Sequence, residues 1–300
     1  MNPDVPGMAL GLFFLGGDPA QVCNAGGPRA LDEVKLREGS LLWPRFPAPL
    51  GLRGMTMMRF LAVLNGLVNT AGGSAPAAHS AYVIIMLRGN AGGQPFLMSD
   101  GVGVGYGARA TADGIDAVYF VAQENYPVEF LEQGYPVRLL RYGINCDSGG
   151  AGRFRGGAGV VREYEVLAEH AVLSMRIDSV VNPPWGVGGG MRGGTGRAVV
   201  NPGTPHERKL APLSDGTVLG RGDILLLETG GGGGHGHPFD RPAEQVLQDV
   251  RDGFVSIEAA RRDYGVSVVG DAVDEAETRL LRGGGGTTLL GSLPPRAAVA

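Results

Sequence analysis

Cysteine is scarce, basic charge is not in excess, and no apolar run reaches membrane-spanning length. Cys23 and Cys146 are the only thiols in 300 residues. They form no CxxC pair, so neither a disulfide framework nor a thiolate metal site is built from them, and a reducing, cytoplasmic setting is expected. Lysine and arginine number 26 against 30 acidic residues, giving a net charge of −4 and a pI of about 5.8. Nucleic acid and anionic membrane both call for a basic face, so neither is an expected partner. The apolar stretch from Met8 to Leu15 is too short to cross a bilayer and follows Asp4 rather than a basic residue. It reads as a buried strand. Also missing are a GxSxG elbow, an HExxH pair and a close carboxylate pair, so no hydrolase motif can be named from a short pattern.

What is abundant is glycine, at 53 residues, with 20 prolines beside it. That share approaches disorder, but the glycines alternate with β-branched and apolar runs such as Ala81–Leu87, which disordered chains lack. The pattern predicts a turn-rich α+β fold dominated by mixed sheets, with C-terminal helices packed on one side. A helix is expected over 56–70, with Met57, Phe60, Leu61, Leu64 and Val68 on one face. Val34–Arg37, Val118–Ala122, Tyr135–Tyr142 and Asp223–Thr229 read as strands, and Val160–Val166 with Ala171–Met175 as a hairpin. Pro242 and Ser256 mark the starts of two helices closed by Gly253 and Gly265, and a weaker helix is expected over 271–282. Residues 1–282 read as one region and 283–300 as a disordered Gly/Pro/Ala tail.

Three glycine clusters carry the candidate chemistry. Gly230–Gly234 leads into His235, Gly236, His237 and Pro238. A P-loop would need a GK[ST] ending, and a dinucleotide fold would need a helix before Pro238, so both are excluded. The plain reading is a flexible or tightly bent surface loop. Two histidines two apart on an extended segment would project to one side, and His235 with His237 could then offer two imidazoles to Zn or Mn. In the second cluster Asp147 opens a turn, and Arg153 and Arg155 alternate with Phe154, so both could face an anion. Asp147 could instead pair with one of them. In the third, Trp185 between prolines and glycines is expected in the core. His79, His170 and His206 receive no role.

Taken in order, these clusters resemble the hydantoinase B / 5-oxoprolinase B-type family and the related large subunit of acetone-type carboxylases. The resemblance covers about Asn24 to Val266. It includes the Asn24–Gly27 turn, Gly39–Leu42, Pro47–Pro49, Gly101–Arg109 with Asp113 and Gly114, and Tyr135–Pro136. It continues through Asp147–Gly152 with Arg155–Gly157, Pro184–Gly186, Gly222–Asp223, Gly230–Gly236 and Arg261–Val266. It implies a subunit of an ATP-dependent cyclic amide hydrolase. A hydantoinase A-type partner would phosphorylate the amide oxygen using ATP and Mg²⁺, and water would then open 5-oxoproline or a hydantoin such as N-methylhydantoin. Asp147, Arg153 and Arg155 are the candidate catalytic residues, and His235 and His237 the candidate metal ligands. The resemblance implies B-type subunits considerably longer at the N-terminus, and the metal-binding His and Asp residues of the carboxylase relatives belong to that part. A separate N-terminal B-type piece is therefore a possible second partner. Relatives usually carry Asp where His237 stands, and often a His-containing segment where Val118–Glu124 stands. A non-catalytic assembly subunit and a carboxylase subunit remain as alternatives.

Overall fold

The computed structural model describes residues 36–48, 53–81, 83–119 and 126–283. The expected strand over Met8–Leu15, the Asn24–Gly27 turn, Cys23, most of Val118–Ala122 and the tail beyond Gly283 lie outside them. Two antiparallel sheets face each other. The first has the order β2–β1–β5–β8, from β1 (Val83–Ala91), β2 (Gln94–Val102), β5 (His170–Arg176) and β8 (Leu213–Leu219). The second has the order β3–β4–β9–β6–β7, from β3 (Val137–Ile144), β4 (Val160–Val166), β6 (Arg197–Val200), β7 (Arg208–Lys209) and β9 (Ile224–Glu228). The class is α+β as expected, but every pairing between these strands is antiparallel rather than mixed.

Alternation puts Val83, Ile85 and Leu87 of β1 on the inner face, opposite Val160, Tyr164 and Val166 of β4. The expected 160–175 hairpin does not form. β4 and β5 are both strands, yet each pairs in a different sheet, and they meet across the core through Tyr164, Leu173 and Met175. Both strands carry a buried alternating face, so the linker at 167–169 folds one onto the other as layers rather than as neighbours.

The glycine clusters build a second kind of interior. Gly230–Gly234 are all buried, so the expected surface loop is overturned. In two registers the N–H groups of Gly231–His235 bond outward with a repeat of three. Gly231 and Gly234 donate to Gly194 and Met191, while Gly232 and His235 donate to Gly157 and Phe154. Gly233 donates to Ala78 at 2.8 Å and Gly236 to Val187 at 2.9 Å. A three-residue turn is the signature of a polyproline-II-type helix, which makes no internal hydrogen bonds and must find neighbours when buried. Here the neighbours are further extended segments around 78–80, 105–108, 150–157 and 187–194. Side chains have no room: a Cβ on Gly232 would land on the Tyr106 carbonyl oxygen, and one on Gly233 on that of Trp185.

Helix α1 (Arg53–Thr70) lies over this bundle and starts three residues before the expected 56–70. Met57, Met58, Ala62 and Asn65 are its buried residues, Phe60, Leu61, Leu64 and Val68 of the expected face are partly buried, and Val63 and Leu67, outside that face, are exposed. Arg59 anchors it, with Nε 3.1 Å from Asp178 and Nη2 donating to the His79 carbonyl at 2.7 Å. A short helix, α2 (Val128–Gly134), precedes β3 and was not expected. The C-terminal unit has its own core: α3 (Ala243–Arg251), α4 (Ile257–Tyr264), the pair β10 (Val268–Val269) and β11 (Ala272–Val273), and α5 (Glu275–Gly283). Ser256 caps α4 by accepting from Ala259 N–H, and Gly265 ends it at φ +62°, as its sequence position predicts.

Candidate functional site

Three extended segments emerge together at one end of the glycine bundle. Phe154 pairs with His235, and His235 pairs with Val187 in a parallel bridge. The turn Val187–Gly190 closes through Gly190 N–H to Val187 O at 3.0 Å, with Gly188 at φ +61° and Gly189 at φ +92°. A Cβ on Gly188 would stand 3.9 Å from His235 Cε1, so the imidazole lies beside this turn. Burial lowers the His235 pKa, which favours the neutral ring. Arg153 is exposed, its guanidinium 5.5 Å from the Phe154 ring centre and without a carboxylate partner among the described residues. Beside the turn, a groove of about 510 Å³ runs between α1 and Trp185–Gly188. Trp185 is 40% exposed in it, so the expected core position is corrected.

Arg155 sits elsewhere. It is buried and its Nη1 donates to Asp116 Oδ1 at 2.9 Å, with Nε 3.5 Å from Asp249. Its guanidinium also lies 4.3 Å from the Phe254 ring centre. Arg241 completes the network by a two-pronged bond to Asp113, both arms 2.8 Å, and a bond to Asp249 at 2.8 Å. Burial alone would lower the Arg241 pKa; bonding to Asp113 and the charge of Asp249 reverse this and raise it. Burial raises Asp249 despite both guanidiniums. The pair Arg153 and Arg155 therefore does not present two cations to one anion: one is exposed and the other is spent inside. A cleft of about 280 Å³ opens over this network, lined by Asp113, Phe154, Arg241 and Asp249 with two glutamines of α3.

Asp147 pairs with neither arginine. It adopts φ +62°, and its Oδ1 accepts from Ser256 N–H at 2.7 Å. Its N–H donates to Phe254 O at 3.0 Å, so it clips the start of α4 to the bundle. The network residues Asp113, Asp116, Arg241 and Asp249 were given no role from sequence. They lie up to 136 positions apart in the chain, and no local spacing links them.

A family model described as hydantoinase B/oxoprolinase matches residues 8–238. An uncharacterized protein of Methanocaldococcus jannaschii is 35% identical over 274 residues, 89% of this chain and 47% of that protein. The caprolactamase subunit beta of Pseudomonas jessenii is 39% identical over 197 residues, 59% of this chain and 32% of the subunit. The crystal structure of the ATP-dependent caprolactamase from Pseudomonas jessenii superposes with a TM-score of 0.77 at 28% identity, covering 93% of this chain and 51% of that one.

The chain belongs to the hydantoinase B/oxoprolinase family. It spans less than half the length of these two sequence relatives.

Family membership raises the question of a metal at His235 and His237 and of a phosphate at the glycine run. No group of three or more His, Cys, Asp or Glu could hold a metal ion among the described residues. Gly236, at φ +74°, breaks the extended path on which the His235–His237 pairing depended. His237 Nδ1 is already used, accepting from Phe239 N–H at 3.1 Å. The N–H groups of Gly231–Gly234 are bonded to backbone carbonyls, so they form no phosphate cradle. No described helix is long and apolar enough to cross a membrane.

Proposed function

We propose that this chain is a B-type component of an ATP-dependent cyclic amide hydrolase, working with a hydantoinase A-type subunit that binds ATP and Mg²⁺. The observation that carries the reading is the superposition of nearly the whole chain on an ATP-dependent caprolactamase. In the overall reaction, ATP and water are consumed. The ring C–N bond breaks, hydroxyl adds to the carbonyl carbon, a proton adds to nitrogen, and ADP and phosphate leave. The mouth formed by Arg153, His235 and the Gly188–Gly189 turn is the candidate substrate end. Arg153 would meet negative charge developing on the activated amide, and a neutral His235 could accept or relay a proton. Arg155 and Asp147 would act only by holding the bundle and C-terminal unit in register. His237 is not assigned a metal.

The test is ring opening by the complex co-expressed with an A-type subunit, and with an N-terminal B-type piece where one is encoded nearby. ATP-dependent product formation is expected, with Arg153→Ala lowering turnover at least tenfold and stability by less than about 0.5 kcal/mol. Unchanged turnover in Arg153→Ala removes that residue from the site. Partner activity that needs the chain but survives substitution of both Arg153 and His235 favours an assembly role. Turnover that requires bicarbonate rather than water would move the protein to the carboxylase reading.

A further inference from the structure

Arg241 is buried, and it uses every hydrogen-bond donor it has. A guanidinium carries five N–H groups in a fixed plane. Nε donates to Asp249 Oδ2 at 2.8 Å. Nη1 donates to Asp113 Oδ1 at 2.8 Å and to the Arg153 carbonyl at 3.1 Å. Nη2 donates to Asp113 Oδ2 at 2.8 Å and to Asp249 Oδ1 at 3.1 Å. The fork therefore joins two carboxylates and one backbone oxygen, and that oxygen belongs to the residue at the candidate mouth.

The segment Arg153–Arg155 shows why the oxygen matters. On one side it is held by the His235 segment. Phe154 N–H donates to His235 O at 3.0 Å, His235 N–H to Phe154 O at 2.9 Å, and Arg153 N–H to Gly236 O at 3.2 Å. The remaining backbone groups need partners of their own. Arg155 N–H donates to Asp113 Oδ1 at 2.7 Å, and Arg155 O accepts from Gly114 N–H at 2.8 Å. Arg153 O is left to Arg241. Asp113 and Arg241 thus stand where a neighbouring strand would stand. They join the two ends of the segment through one carboxylate oxygen and one guanidinium nitrogen. Arg241 also follows the His235 segment in the chain, after the short turn Pro238–Asp240. One side chain therefore ties the stretch that bears His235 to the stretch that bears Arg153.

We propose that Arg241 is a positioning residue, which with Asp113 fixes the backbone of Arg153 relative to His235. Its effect on turnover rests on the cyclic amide reading above; its hold on Arg153 does not. The Arg153 side chain is exposed, with the Phe154 ring 5.5 Å away, so its aim depends on where its backbone is held. A displacement of about 1 Å in a positioned group can cost about a hundredfold in rate. Lysine in place of Arg241 keeps the charge but offers three donors from one nitrogen. It cannot span both carboxylates and the carbonyl. The carboxylates hold it more strongly, so the Arg153 carbonyl is the partner lost.

Two measurements test this, and the first needs no turnover. Hydrogen exchange on the full chain, read by mass spectrometry, should be about tenfold faster over 153–157 and 231–236 in Arg241→Lys, with β5 unchanged. Unchanged exchange over 153–157, or an equal rise in β5, overturns the proposal. In a complex that opens a ring, Arg241→Lys should lower kcat about tenfold or more with KM within about twofold, because Arg153 meets charge that develops in the transition state. In an Arg153→Ala background the same change should cost less than about twofold, since nothing is left to position. Equal losses in the two backgrounds would show that Arg241 only holds the fold together. Asp113→Asn keeps an oxygen for Arg155 N–H and loses one arm to Arg241. It should move both readouts the same way by a smaller factor, and it serves if Arg241→Lys does not accumulate. A chain whose complexes never open a ring loses the hydrolase reading, and exchange still decides whether Arg241 holds Arg153. Ring opening with equal losses in both backgrounds removes only the positioning role.

Discussion

The glycine bundle and the two-sheet core are packed by opposite means. Between the sheets, side chains such as Leu173, Met175 and Leu227 fill space, and the backbone is satisfied within strands. In the bundle the backbone of one segment bonds to several others, and the absence of side chains is what allows the approach. The core draws on removal of apolar surface from water, and close-packed volume sets its stability. The bundle draws on complete pairing of buried N–H and C=O groups, for which a single misplaced atom is costly. A core can relax around a smaller residue, whereas a carbonyl held by a neighbouring segment cannot move without breaking bonds in a third.

The sharpest way to break this comparison is to put the same methyl group in both regions. Gly232→Ala drives a Cβ onto the Tyr106 carbonyl. A loss of about 4 kcal/mol or more is expected, seen as failure to accumulate folded protein or collapse of the urea midpoint. A midpoint close to the parent's would mean the bundle is looser than its hydrogen bonds imply. In the core, Leu173→Ala removes a wholly buried side chain and should cost about 3 kcal/mol while leaving a cooperative transition. A larger loss at Leu173 than at Gly232 would reverse the ranking of the two regions.

Sequence patterning made one of these regions far more legible than the other. Strand β4 and the capped helix α4 follow from two-residue and 3.6-residue periodicity, and β1 and β9 from short apolar, β-branched runs, since each is a local rule about which residues face the core. The 230–236 segment has no side chains to show a period. Its three-residue repeat exists only in the partners of its N–H groups, which are spread from Ala78 to Gly194. It was therefore read as a surface loop. His235 and His237 were placed on an ideal extended segment, and the turn at Gly236 separates them. Arg153 and Arg155 were placed on one side because they alternate, whereas the acids that bury Arg155 come from Asp116 and Asp249. Ordered glycine clusters identified the family, because their spacing is specific even where their shape is not.

A pH experiment probes the seam where α1 crosses the bundle. His79 is buried there, its ring 5.0 Å from that of Tyr106, and burial first, then the charge of Arg59, lowers its pKa to about 4. The unfolded chain binds this proton near pH 6.5 and the folded chain only near 4. Folding is then favoured by neutral His79 above pH 6.5, and this contribution is lost as pH falls toward 4. The full span corresponds to about 3 kcal/mol at most. His79→Leu, which does not titrate, should flatten the stability profile over that window. Asp100 and Asp249, both raised by burial, push the other way but are common to both proteins, so the difference isolates His79. Parallel profiles would mean that His79 accepts a proton without opening the seam.

The smallest expected effect is the most useful control. Gly143 lies in β3 opposite Val161, at a negative or extended φ, and a Cβ there would meet nothing within 4 Å. Gly143→Ala should change stability by less than about 0.5 kcal/mol, and a slight gain is reasonable because alanine restricts the unfolded chain. Gly232→Ala makes the identical chemical change, with the same effect on the unfolded chain to first order. The difference between the two variants is therefore a direct reading of how tightly backbone meets backbone in the bundle. A Gly143→Ala loss comparable to that of Gly232→Ala would show that glycine is required throughout the fold for some reason other than close approach, and the contrast between the two interiors would no longer hold.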